Sequence, residues 1–538
     1  MQAARVQNTL APVVSSVLGR VSGVDDWHRR IPALVVEIDA ALADERWDAV
    51  GSLLDDYFFA LSISAPDVID RVWQHLPDEW LQTHPRYVMA AAVTEASTKP
   101  FQLIAAPADR TFAEWVDGQE SPATRDVMGA RLALVRRHMA SGRIERATAI
   151  ADEIQELLRE APDHEGFEDV LPSVFIRLGM VRLLSGALGR AISSFAESWR
   201  WSQATYPHPF APFAAAHCAL AYALAGDYVH AQMWRDRSMD MPTAVPNTMA
   251  YSFHAAGELA DVLLAIGAAD AEAAQRKARE LDHGIERGEL WWVAVHARSR
   301  IALYWGDRSQ VSREISAELH AYPSLTGPSS LAGIVLRCDL ADLYQADLDF
   351  DAAQHLLDQL DQGSPCLPAV STMTRQLMLR GNLDAAERLL IAAARPPLLS
   401  AHPPARWEVL RANIIAADSA RDQETVLRVA AQRVQHTGAY DAMFDADSAV
   451  RAAISAVLES PASAVRPDVD LTRRETEIVG LLAEGLPVRQ IAEELFISPN
   501  TMKSHLGRIY RKLGVQNRTE AVAAASCVTG SAPEIAAG

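Results

Sequence analysis

Apolar residues recur every three or four positions over most of the chain, with charged and polar residues between them. This is the period of amphipathic α-helices. No convincing alternation of apolar and polar residues, with hairpin turns, competes with it as a sign of β-strands. We therefore predict an all-α protein.

A short pattern recurs upstream of Glu459: a glycine is followed five residues later by Ala or another small residue that opens an amphipathic helix. Glycine ends one helix in a conformation that other residues resist, and the small residue lets the next helix pack closely. Successive copies lie about forty residues apart, the length of a helical hairpin. Clear copies are Gly142 with Ala147, Gly186 with Ala191, Gly226 with Ala231, Gly306 with Val311 and Gly381 with Ala386, and weaker ones are Asp44 with Ala49, a copy near Gly267, and Leu348 with Ala353.

One helical hairpin cannot bury its apolar face alone, so such hairpins stack. We predict a helical-repeat solenoid that resembles tetratricopeptide repeats, from about Asp26 to Leu458, after an N-terminal segment of residues 1–25. The alternative is an irregular bundle of Ala-rich helices. Residues 459–470 contain two prolines and no helical period, and they predict a linker.

The segment from Leu471 to Ser526 predicts four more helices, followed by a flexible tail of residues 527–538. Thr472 and Glu475 form a capping pair at the first helix, and Gly485 ends it. Each of the first two helices carries an apolar stripe, formed by Ile478, Leu481 and Leu482 in the first and by Val488, Ile491, Ala492, Leu495 and Phe496 in the second.

The third of these helices, from about Pro499 to Leu513, divides into two faces. Met502, Leu506, Ile509 and Leu513 recur at helical spacing and predict the buried face. A short helix with a polar and basic outer face, held by a preceding helix across a tight turn, is the geometry that enters a DNA major groove. The outward or flanking residues are Thr501, Lys503, Ser504, Arg508, Arg511 and Lys512, with His505 near the boundary.

The runs LTRRETEIVGLLAEG, IAEELFIS, NTMKSHLGRIYRKLGV and NRTEAV resemble, in order, the LuxR/GerE-type helix-turn-helix. The resemblance implies double-stranded DNA as a partner and pairing of two copies on it. It implies base or phosphate contacts by Thr501, Lys503, Ser504, His505 and Arg508, and backbone contacts by Arg511, Lys512 and Arg489. Two positions depart from the family: Leu486-Pro487-Val488 replaces a polar cap, and Gly507 stands where a longer side chain is common.

The charge is divided unevenly along the chain. Its net value is -19. From Leu471 to Ser526 eight basic residues stand against six acidic ones, so this segment carries +2 and the remainder -21. An acidic body argues against coating nucleic acid along the whole length, whereas the C-terminal segment has the charge of a local DNA-binding surface.

The upstream region also resembles the large MalT-like LuxR regulators, through the segment LPDEWLQTHPRYVMAAAV at Leu76 to Val93. Those proteins contain an ATPase module. No lysine of this chain follows a glycine, so the phosphate loop GxxxxGK[ST] is absent. We therefore expect an ATPase-lacking sensor region whose input is a small molecule or a protein held by the helical array.

Other functional classes find little support. The sequence has no HExxH or GxSxG motif, and its four cysteines lie far apart, so we expect no enzyme, cofactor or metal. The first twenty residues lack a secretion signal and no long apolar run could span a bilayer, so we expect a cytoplasmic protein. The leading hypothesis is a DNA-binding transcription regulator. The alternative is a protein-interaction scaffold with a vestigial or dimerising helix-turn-helix.

Overall fold

A computed structural model describes most of the chain upstream of residue 460 and single positions beyond it. The described ranges are 27–96, 107–160, 168–204, 210–239, 250–281, 285, 288–360, 366–393, 403–417 and 422–459, with Glu475, Ile478, Leu481, Leu482, Val488, Ile491, Met502, His505, Leu506, Arg508 and Ile509. Every regular element in these ranges is helical, which confirms the all-α prediction. None of the helices in the described ranges is both long enough and apolar enough to cross a membrane.

The helices are numbered in chain order. The N-terminal ones are α1 (Trp27–Ala43), α2 (Trp47–Ser64), α3 (Pro66–His75), α4 (Asp78–Thr83), α5 (Pro85–Ala96) and α6 (Pro107–Asp117). Eight pairs follow in the described residues: α7 (Thr124–Ala140) and α8 (Ile144–Glu160), α9 (Leu171–Leu184) and α10 (Leu188–Ala204), α11 (Ala211–Leu224) and α12 (Tyr228–Met239), α13 (Ala250–Gly267) and α14 (Ala271–Glu280), α15 (Trp291–Trp305) and α16 (Arg308–Ala321), α17 (Leu331–Ala346) and α18 (Phe350–Leu357), α19 (Leu367–Leu379) and α20 (Leu383–Ala393), and α21 (Ala405–Ala416) and α22 (Gln423–Thr437). Short 3-10 helices lie at Glu168–Val170 and Tyr440–Asp445.

The recurring pattern marks the turn inside seven of the eight pairs, those from α7 to α20. Gly186 has a φ of +79°, its amide donates to Leu183 O at 3.0 Å, and the next amide donates to Arg182 O at 2.8 Å. This left-handed turn satisfies carbonyls at the end of α9 that have no partner within the helix. Five other pairs have an equivalent left-handed residue: Gly142, Gly226, Ala269, Leu348 or Gly381.

Two copies of the pattern differ from the prediction. Gly306 is extended, with φ at −134°. The connection from α15 to α16 consists of two residues, one fewer than the connection from α9 to α10, and it has no left-handed residue. Near the N-terminus the pattern is shifted by one residue. Glu45, not Asp44, is left-handed, because Asp44 still donates its amide to Ala40 O. Val50 is therefore buried in place of Ala49, which is half-buried.

The two helices of a pair have different environments. The second helix buries one stripe; in α8 it comprises Ile144, Ala147, Ala151, Ile154 and Leu158. The first helix is buried on nearly all sides, as in α11, because it lies against its own partner and against the first helices of neighbouring pairs. The small residues predicted to allow close packing in the second helices are fully buried: Ala147, Ala191, Ala231, Ala353 and Ala386.

First helices pack on one another in sequence from α7 to α21, an arrangement compatible with the predicted solenoid. The last pair returns to the middle of the array, since α22 packs on α12. The 3-10 helix Tyr440–Asp445 contacts α13, α21 and α22. The body is therefore held together by contacts between distant repeats as well as between neighbours.

The chain divides into two compact units. The first contains residues 1–399 and 403–447, and the second contains residues 400–402 and 448–538. The final continuous helix, α23 (Ser448–Glu459), belongs to the second unit and ends at the residue where the sequence predicts the linker to begin.

Candidate nucleic-acid interface and buried charge cluster

A cluster of alternating charges lies inside the helical body. Arg300 on α15 contacts Asp342 on α17 at 2.7 Å, and the other oxygen of Asp342 lies 2.8 Å from Arg375 on α19. Arg375 also pairs with Asp445. The first helices and the 3-10 segment are thus joined by ion pairs between side chains that are at most 16% exposed.

Arg406, at the start of α21, extends this series of alternating charges, which we call the charge ladder. Its Nε lies 3.1 Å from Asp445 Oδ2 and its Nη2 lies 2.8 Å from Asp441 Oδ2. The hydroxyl of Tyr304 accepts hydrogen bonds from Arg406, at 2.7 Å, and from Arg300. The ladder therefore closes on itself through Tyr304, and its members are Arg300, Asp342, Arg375, Asp445, Arg406 and Asp441.

At the carboxylates of this cluster, burial raises the pKa and the neighbouring guanidinium groups lower it. Burial raises the pKa of Asp441 above its ordinary value, and Arg406 offsets this in part. Burial also raises the pKa of Asp445, but Arg375, Arg406 and Arg300 outweigh it, and the net pKa is lowered. Asp445 is therefore the carboxylate whose ionised form the cluster stabilises most clearly.

A cavity of about 90 Å³ lies beside the ladder, among the first helices. Its apolar lining includes Leu263 and Ile266 on α13, and its charged lining includes Arg300, Arg406 and Asp339. This site was not among the sequence-based predictions. A usable signal was present, because Arg300, Asp339 and Asp342 interrupt otherwise apolar helices.

In the C-terminal unit, the described residues of the third predicted helix show the two expected faces. Met502, Leu506 and Ile509 are helical and buried, at positions three and four residues apart. Arg508 is exposed on the same helix. In the two preceding helices Ile478, Leu482 and Ile491 are buried, each at a position where the apolar stripe predicts it.

Two of the eight predicted DNA contacts fall on described residues. Arg508 is exposed, and His505 is half-buried, as its boundary position predicts. The Nδ1 atom of His505 is buried and has no hydrogen-bond partner among the described residues. The other six, Thr501, Lys503, Ser504, Arg511, Lys512 and Arg489, lie outside the described residues.

Residues 469–525 match the family described as bacterial regulatory proteins, luxR family. The C-terminal segment is a luxR-family domain. The match begins two residues before Leu471, where the sequence predicts the first helix of this segment. The predicted resemblance to the LuxR/GerE type is thereby confirmed.

Curated relatives match this chain over short regions. The DNA-binding transcriptional activator DevR/DosR of Mycobacterium tuberculosis is 36% identical over 103 residues, 19% of this chain and 46% of that protein. The transcriptional regulatory protein LiaR of Bacillus subtilis is 49% identical over 55 residues, 10% of this chain and 26% of its own length. The HTH-type transcriptional regulator MalT of Vibrio campbellii is 42% identical over 55 residues, 10% of this chain and 6% of its own length.

These matches have lengths close to that of the luxR-family domain, or at most about twice it. The chain spans less than half the length of each of these three relatives. The family match lies at the C-terminal end of the chain, and these relatives match at most 19% of it, so the role of the helical body has to be argued from its own structure.

Proposed function

We propose that this chain is a DNA-binding transcription regulator, in which the luxR-family domain reads a site on double-stranded DNA and the helical body receives a signal. The observation that carries the proposal is the family match at residues 469–525. The exposed Arg508, opposite the buried Met502, Leu506 and Ile509, supports it, because a groove-reading helix needs one apolar face and one basic face.

In this proposal the third helix lies in the major groove. Thr501, Lys503, Ser504, His505 and Arg508 contact bases or nearby phosphates, while Arg511, Lys512 and Arg489 contact the backbone. His505 presents its Nε2 atom to DNA, since its Nδ1 atom is buried. Arginine and lysine pair with guanine O6 and N7, so Lys503 and Arg508 are the residues we expect to contribute most to sequence selection.

The wider organisation is also part of the proposal. Residues 26–458 form the sensory body, 459–470 a linker and 471–526 the DNA-binding domain, with two copies pairing on a palindromic site in the cytoplasm. The body is proposed to act by binding, without catalysis. A ligand or protein bound to it changes how the domain is presented.

The test is selection of DNA from a random pool by the full-length protein at moderate salt. We expect enrichment of a palindromic motif. Lys503→Ala and Arg508→Ala should weaken binding to that motif by about 1–3 kcal/mol if the residue reads a base. Loss of a phosphate contact should instead make the negative slope of log K against log salt shallower by about one.

Arg428→Ala is the matched control, since Arg428 is an exposed arginine of the helical body and its removal changes the net charge equally. Unchanged affinity in both Lys503→Ala and Arg508→Ala would contradict the contact assignment. A failure of full-length protein and isolated domain to enrich any sequence would favour the scaffold alternative.

A further inference from the structure

The charges around the cavity do not balance. The ladder pairs Arg300, Arg375 and Arg406 with three aspartates. Asp339, on α17 beside the ladder, is a fourth buried carboxylate, 3% exposed, and it also lines the cavity. Carboxylates of this site therefore outnumber guanidinium groups by one.

Asp339 pairs with a histidine, whereas each ladder aspartate pairs with an arginine. Among the described residues its hydrogen-bond partner is His296, whose Nδ1 lies 2.8 Å from Asp339 Oδ2. An imidazole carries a positive charge only when it is protonated, whereas the guanidinium groups of the ladder are always charged. Burial raises the pKa of Asp339, although His296 and Arg300 offset this in part. A buried carboxylate with an incomplete set of donors, facing a cavity, is suited to a cationic ligand.

The cavity limits the size and the polarity of what it can hold. Its volume is about 90 Å³, and benzene occupies an engineered cavity of about 150 Å³, so the space corresponds to roughly four non-hydrogen atoms. Leu263 and Ile266 line the cavity and offer contact to an alkyl group. An anionic ligand would add to the excess of negative charge, and the ladder already engages all three arginines.

We propose that this cavity binds a small organic amine of about four non-hydrogen atoms, with its ammonium group donating to Asp339 and its alkyl part against Leu263 and Ile266. The ammonium group supplies both the missing positive charge and up to three hydrogen-bond donors. As the input of a regulator this site rests on the proposed function, but as a binding site it stands on the cavity and its charges.

The test uses isothermal titration calorimetry on the full-length protein in an amine-free phosphate buffer, without DNA. The probe is n-propylamine hydrochloride. The controls are n-propanol and sodium propionate, which have a similar size but no positive charge. We expect saturable binding of one propylamine per chain and no binding of either control at the same concentration.

Asp339→Asn keeps the shape of the side chain and removes its charge. It should weaken propylamine binding by about 10-fold to 100-fold, the range for hydrogen bonds to charged groups. Asp351→Asn is the matched control, because the Asp351 side chain is fully exposed, and it should leave binding unchanged. Equal affinity in a folded Asp339→Asn protein would overturn the proposal.

A size series on the unmodified protein gives a second measurement that does not depend on the folding of a variant. Propylamine should bind more tightly than n-hexylamine, because the hexyl chain exceeds the volume of the cavity. Equal binding of both amines, of propanol or of propionate would contradict the site. Since no DNA is present, a failure in this experiment leaves the DNA selection unaffected, and the reverse also holds.

Discussion

Asp445 allows a direct test of the charge ladder. It is 4% exposed and contacts two guanidinium groups, those of Arg375 and Arg406. Asp445→Ala leaves both cations buried and short of a partner, and loss of one member of a buried ion pair costs about 3–5 kcal/mol. We expect a destabilisation of that size, measured as a shift of the urea midpoint followed by circular dichroism.

Asp351→Ala is the control that separates the effect of burial from the effect of the distance between the charged atoms. Asp351 pairs with Arg380 at 2.9 Å, as close as the ladder contacts, but its side chain is fully exposed and that of Arg380 is 40% exposed. Exposed pairs contribute about 0–1 kcal/mol. Similar midpoints for the two variants would refute the reasoning that burial sets the magnitude.

The combined change Arg375→Met with Asp445→Leu provides a second control. It removes one cation together with its carboxylate and fills the space with apolar side chains, which restores the charge balance of the remaining pair between Arg406 and Asp441. We expect a smaller loss of stability than in Asp445→Ala alone. A larger loss would show that packing, rather than charge, determines the effect at this position.

Two further predictions concern stability. Burial lowers the pKa of His217 to about 4. Between about pH 6.5 and pH 4 the histidine is therefore protonated in the unfolded chain and neutral in the folded chain. The free energy of unfolding accordingly falls as the pH falls through this window. Between pH 8 and pH 5 this amounts to about 2 kcal/mol, and His217→Gln should reduce the measured difference by that amount; an unchanged difference would contradict the cause. Gly186→Ala should lower the free energy of unfolding by about 1 kcal/mol, because its φ of +79° disfavours a side chain but a new Cβ meets no atom within 4 Å. Gly142→Ala should cost clearly more, about 2–4 kcal/mol by thermal unfolding, because its Cβ would lie 2.0 Å from Ser324 O; equal costs would show that the chain relaxes there.

The turns of the body could be predicted because their cause is local. A residue such as Gly186 indicates that a helix ends in a left-handed turn, and this signal lies within a few residues of the turn itself. The failures have the same local origin. At Gly306 a connection that is one residue shorter has no left-handed residue, and at position 348 the chain uses a leucine in that conformation, which weakens the pattern without removing the turn.

The charge ladder could not be predicted in the same way. Arg300 and Asp342 both interrupt apolar helices, which the sequence shows, but their pairing depends on how two first helices stack. Asp445 lies 70 residues from Arg375, in a short 3-10 segment with no periodic signal. The two faces of the third C-terminal helix, by contrast, follow from one helix alone, and Met502, Leu506, Ile509 and Arg508 confirm them.

The return of the Tyr440–Asp445 segment to the first helices has a consequence for folding cooperativity. In an open repeat array each unit contacts its neighbours, so units can be removed and partly unfolded states persist. Here the hydrogen bond from Arg406 to Tyr304 links residues 102 positions apart, and α22 rests on α12. The segment from α12 to Asp445 should therefore unfold as one cooperative unit. Repeats within it are not interchangeable modules, and truncation at an internal turn should expose buried charge rather than leave a shorter stable array.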